Sequence, residues 1–249
     1  MNRGAVVRAV EAGPGSVAAA LFAGLSFLRR RRVFHPYGAA VEALLEVTSA
    51  GRYDAALLDV PLRRRCLVRL SWGVGLPDRL PDVLGVAVRV LGEDGRSPAQ
   101  DILFATVLGD GSVSRHVLAP SAGFGQRPFS TVLPYRAGHQ LVVLGLAADA
   151  DEPLPAAQQA ADALLLGRLS FRVRVSAGRE WATLGRLSGV GPVPPDVAES
   201  LRYNPFHASL GLEPAGMVNA LRRRSYAASQ AARPTPRADQ AAPLVPPAS

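Results

Sequence analysis

The chain has 249 residues, 48% hydrophobic and 19% charged, which is the composition of a globular protein with room for one large domain or two small ones. Its formal net charge is +8, yet all 28 basic residues are arginine. The absence of lysine excludes a Schiff-base lysine, a pyridoxal-phosphate enzyme and a Walker-type phosphate loop. One cysteine, Cys66, excludes a disulfide framework and a cysteine-rich zinc or iron–sulfur centre, and points to a reducing cytoplasmic setting.

In chain order, the first segment with a pattern is Ser16–Leu28, apolar, with Leu21, Leu25 and Leu28 at helical spacing and four arginines behind it. It is shorter than the roughly 20 residues of a bilayer span. Its positive charge follows the apolar run, whereas a signal peptide carries the charge first. An amphipathic helix docked on the domain is expected, and no transmembrane segment.

From residue 43 the pattern becomes short and β-rich. Strands are expected at Ala43–Thr48, Cys66–Ser71, Gly85–Leu91, Asp101–Leu108, Gln140–Leu146, Leu164–Val175 and Trp181–Leu187. Turn-forming stretches such as Gly-Glu-Asp-Gly (92–95) and Gly-Asp-Gly-Ser (109–112) separate them. Seven or eight strands so spaced predict an antiparallel barrel or sandwich. Residues 150–163 read as a helix or linker, "PDVAESLRY" as a short helix opening near Pro195 and Asp196, and the Pro/Ala-rich tail as disordered. The basic excess gathers in Arg29–Arg32, Arg63–Arg65 and Arg222–Arg224, with only 6% aromatic residues and no recognisable module, so nucleic-acid binding is not expected.

Two stretches bear on chemistry. In "CLVRLS", Leu67, Arg69 and Ser71 share one face of a strand, while Cys66, Val68 and Leu70 share the other. Turned into a barrel, the Arg–Ser pair would need an anionic partner to justify burial. In "RRVFHPYGAAVEALLEVT", His35 read alone is a partly buried ring that opens a strand. The other histidines, His116, His139 and His207, lie far apart and form no metal-binding spacing. Tyr226 in "RRRSYAASQ", read alone, sits on a surface helix.

Taken together, these stretches resemble heme catalases. "RVFHPYGAAVEALLEVT" is similar to the catalytic-histidine segment, with Arg32, His35, Gly38, Glu46, Val47 and Thr48 in the family's positions. "LVRLSWGVG" follows as the Val-Arg-Phe-Ser strand (Arg69, Ser71), and "DVLGVAVRV" as the next one, with Asp82, Gly85, Ala87 and Val88. Near the other end, Tyr203, Pro205, Gly211, Leu212, Glu213 and Pro214, then Arg222, Ser225, Tyr226 and Arg233, resemble the family's C-terminal block, one residue shorter between Glu213 and Tyr226. The resemblance covers roughly residues 25–108 and 160–235, with a shortened middle.

This resemblance implies an α+β, mainly β fold: a catalase-like antiparallel β-barrel of about eight strands with flanking helices, lacking the family's C-terminal helical domain. The implied bounds are an N-terminal helix and arm (1–34), the barrel domain with a C-terminal helix (35–235) and a disordered tail (236–249). It further implies heme b, with Tyr226 as the iron ligand. Arg222, four residues earlier on the same helical side, would keep Tyr226 ionised. Arg32, Arg69 and Arg233 would pair the propionates, His35 would shuttle the peroxide proton, and Ser71 would orient the imidazole.

One departure matters most: Ala105 stands where the family's peroxide-binding asparagine belongs. The expectation is therefore a weak peroxidase or peroxygenase, using hydrogen or organic peroxide and a small organic donor, in a monomer or homodimer. The alternatives are a non-catalytic heme- or ligand-binding barrel and, without motif support, a phosphodiesterase-type hydrolase. The pocket is expected on the interior face of the barrel, with His35, Arg69 and Ser71 around one cavity and Tyr226 on its opposite wall. Arg69 and Ser71 on the solvent side of their strand would make this heme-pocket reading fail.

Overall fold

The computed structural model describes residues 38–48, 51–72, 81–95, 97–204 and 207–215. They form strands β1 (Gly38–Val47), β2 (Leu62–Trp72), β3 (Leu84–Leu91), β4 (Pro98–Thr106), β5 (Phe129–Ser130), β6 (Tyr135–Ala137), β7 (Gln140–Ala150), β8 (Leu169–Ser176), β9 (Ala182–Pro192) and β10 (Leu212–Pro214). Helices are α1 (Ala56–Asp59), α2 (Ala157–Leu165) and α3 (Pro195–Ser200). The expected N-terminal helix and C-terminal tail lie outside the described residues.

Strand alternation explains closure. In β1, Val41, Ala43, Leu45 and Val47 are buried, while Glu42 and Glu46 point out and pair with Arg65 and Arg63 of β2. Cys66, Val68 and Leu70 continue the inner face in β2, Val86, Val88 and Val90 in β3, and Ile102 and Phe104 in β4. Each strand thus has an apolar face to hide. Eight of them do so by closing on one another, in the order β1-β2-β3-β4-β5-β7-β8-β9 and back to β1, with every pairing antiparallel. The remaining strands, β6 and β10, form a ribbon on β7. At Gly185 of β9, a Cβ would stand 1.8 Å from the carbonyl oxygen of Glu46, so glycine lets β9 close against β1.

The barrel interior is filled. Phe129, Leu144, Leu146, Phe171, Val175 and Leu187 join the inner residues of β1–β4 in one core cluster. An eight-stranded barrel is just wide enough for its side chains to fill it. Phe171 lies edge-on to Phe129, with ring centroids 5.9 Å apart, and is fully buried. Phe171→Ala is expected to lower stability by about 3–5 kcal/mol, readable as a fall in the denaturant midpoint at unchanged slope.

All seven expected strands are present, several of them longer than expected. Two boundaries are corrected: β4 ends at Thr106 and not at Leu108, and β8 starts later than Leu164. Leu164 lies in the last turn of a helix and does not start a strand, because Ala157, Ala160, Ala161 and Leu164 recur at helical spacing and pack into the core. Gly167, at φ 70°, breaks the chain before β8 begins at Leu169.

Candidate functional site

Of the nominated site residues, Arg69 and Ser71 lie among the described residues, on the outer surface of β1–β4. Antiparallel register places directly opposed residues on one face, so three rows can be followed across four strands. The first is Gly38–Ser71–Gly85–Ala105, the second Ala40–Arg69–Ala87–Leu103 and the third Glu42–Leu67–Arg89–Asp101. The first two rows make a shelf floored by small residues, mostly half-buried. Two glycines keep it low: a Cβ on Gly38 would stand 2.9 Å from Arg69 Nε, and one on Gly85 would stand 3.0 Å from Ser71 Oγ.

Arg69 and Ser71 therefore do share one face, but it is the outer one. The expected interior pocket is not there, because Cys66, Val68 and Leu70 take the inward positions and the interior is packed with apolar side chains. The cause is energetic. Alternation forces a choice between three apolar residues and the Arg–Ser set, and burying an arginine inside a filled barrel would cost several kcal/mol. Arg69 is nonetheless half-buried at the edge of α3, and its Nη1 donates to the Ala198 carbonyl at 3.4 Å. His35, Arg32, Arg222, Tyr226 and Arg233 lie outside the described residues. Cys66 faces the core, where burial pushes its thiol pKa up to about 12, so it is an inert packing residue.

The third row carries a cluster that sequence reading missed. Asp101 is fully buried, and both of its oxygens accept from Arg89, Nε and Nη2 each at 2.8 Å. The backbone N–H of Asn204 donates to the same carboxylate at 2.6 Å, and His207 Nδ1 lies 3.3 Å from it. Arg89 also donates to the Arg202 carbonyl and stacks over the Tyr203 ring, 5.1 Å from its centroid. Burial works against the charge on Arg89, but the Asp101 carboxylate outweighs it and holds the guanidinium firmly protonated. Burial likewise raises the Tyr203 phenol, whose hydroxyl donates to the Leu67 carbonyl. The one signal in the sequence was a Gln-Asp pair opening an otherwise apolar strand. His207 belongs to the same cluster, facing the Asp101 carboxylate.

Among the described residues, no group of three or more His, Cys, Asp or Glu is arranged to hold a metal ion, and no helix is long and apolar enough to cross a membrane.

No protein-family model matches the sequence, and no curated protein matches it. Solved structures do match. The bacterial catalase structure gives a TM-score of 0.61 at 13% identity, over 83% of this chain and 59% of that one. Catalase A from Saccharomyces cerevisiae gives 0.58 at 13% identity, over 84% and 63%. A fungal catalase gives 0.57 at 14% identity, over 84% and 61%. This chain thus spans about three fifths of the length of these catalases. At such identities the likeness concerns the backbone path. The closed eight-stranded antiparallel barrel, mainly β with few helices, is the catalase-like fold.

Proposed function

We propose that the protein is a heme-binding, catalase-like peroxidase of low catalase activity, which takes a peroxide and a small organic donor. The interior heme pocket fails on the outward Arg69 and Ser71, and the observation that carries this reading is instead the first row of the outer shelf. Gly38 opens β1 three residues after His35 and is opposed by Ser71, and Arg69 lies two residues back on the same face. The shelf stands on a backbone fold that is shared with the solved catalase neighbours.

The residues of the shelf fit a flat, anionic macrocycle. Gly38, Gly85, Ala87 and Ala105 offer no side chain that would lift a ring, and Arg69 supplies a guanidinium, the group best matched to a carboxylate. Heme b, when bound, supplies an iron able to take oxidising equivalents from a peroxide. Tyr226 would hold the iron, with Arg222 favouring its ionised oxygen, and Arg32, Arg69 and Arg233 would pair the carboxylates. His35 would accept the proton of a peroxide at its imidazole nitrogen and return it to the departing oxygen. Ser71 would fix the ring that does so.

Purified protein supplemented with hemin is expected to show an intense Soret band with a tyrosinate-type spectrum. Tyr226→Phe should abolish that spectrum, because phenylalanine offers iron no oxygen. An unchanged spectrum in the variant removes Tyr226 from the proposal. Heme bound without oxidation of any donor leaves a heme-binding barrel that has lost turnover.

A further inference from the structure

We infer that the segment Pro194–Asn204 is a gate over the shelf, latched at Asp101 and able to open while the barrel stays folded. The segment leaves β9 and runs over the outer face of β1–β3. Its apolar hold is small: Leu201 and the neighbouring Val193 meet Leu67 in a satellite cluster, separate from the main core, against Ala40, Val197, Ala198 and Tyr203. Helix α3 itself has six residues and none of them buried, so neither its length nor its packing gives it much stability of its own.

The polar hold on the segment centres on Asp101, beside two single hydrogen bonds, from Arg69 to the Ala198 carbonyl and from the Tyr203 hydroxyl to the Leu67 carbonyl. The Asp101 carboxylate receives the Asn204 N–H, and Arg89, already paired with Asp101, reaches the Arg202 carbonyl. A buried, charge-assisted knot of this kind is either made or broken, which gives the segment two discrete positions. In the latched one it covers Ala40, Leu67 and the edge of Arg69. Opening uncovers these residues and joins them to Gly38, Ser71, Gly85 and Ala87, so a ring-sized ligand gains access to the whole shelf. The motion follows from the packing alone. Its role in admitting heme rests on the function proposed above.

Amide hydrogen exchange separates the two parts. In the full chain, the amides of Ala198, Leu201 and Asn204 should exchange at least about a hundredfold faster than those of Ala43 and Val88 in the barrel. Leu201→Ala should speed the Asn204 amide by a further tenfold or so and leave the barrel amides unchanged. Asp101→Asn should do the same, and Leu201→Ala serves alone if Asp101→Asn fails to fold. Equal exchange in segment and barrel, or a variant that speeds both together, overturns the gate. For the ligand, hemin should associate about tenfold faster with Leu201→Ala and reach the same final Soret band. Faster exchange with an unchanged hemin rate overturns the admitting role. Hemin that gives no bound spectrum in either protein overturns the heme reading itself, and the admitting role with it.

Discussion

Replacing His35 with alanine is expected to lower peroxide-dependent oxidation of a small organic donor by about a hundredfold or more, the usual scale for a positioned general acid–base. The reaction asks one group to take a proton from one peroxide oxygen and deliver it to the other. Among the side chains proposed for the site, an imidazole is the one whose chemistry suits taking and returning a proton; a serine hydroxyl or a guanidinium does not. A group that acts only on the bound peroxide leaves heme binding alone, so the loss should appear in kcat/KM with the Soret band retained. Donor oxidation that is equal in wild type and His35→Ala would make the histidine structural.

Ala105→Asn is expected to act in the other direction and to raise oxygen evolution by about ten- to a hundredfold. Ala105 lies in the same row as Ser71, with Gly85 between them, so the two are separated by two strand spacings, roughly 10 Å. Its outward, half-buried position can take a larger side chain without disturbing the inner face formed by Ile102 and Phe104. Dismutation must hold a second peroxide, and the shelf has few polar groups to do so. One positioned hydrogen-bonding group is worth a factor of about a hundred or more where it acts on the transition state. Oxygen evolution unchanged in Ala105→Asn, with donor oxidation and spectrum intact, would show that position 105 does not face the bound peroxide.

Gly85 controls how close these partners come. A Cβ there would press on Ser71 Oγ at 3.0 Å, so the glycine that the resemblance marks as a family position also has a local steric reason. Arg89 and Asp101 illustrate the reverse case. No pattern in the sequence pairs residues twelve apart, and only the β3–β4 register makes them direct partners.

The sequence by itself determined the seven longer strands and their two faces. That Val41, Ala43, Leu45 and Val47 share one face and Glu42 and Glu46 the other is a local property, and so is the shared face of Arg69 and Ser71, because the β side-chain period is two. It also carried the likeness to catalases on which the barrel was expected. Which face turned inward was decided only by the tertiary structure. That choice compares the free energy of burying Cys66, Val68 and Leu70 with that of burying Arg69 and Ser71, and it is settled when eight strands close and leave no interior space. The short strands β5, β6 and β10, two or three residues each, have no period to read and exist through the partners that pair with them. The Asp101 knot is of the same kind. Its members lie between positions 89 and 207, and they meet because the segment after β9 folds back over the outer face of β3 and β4.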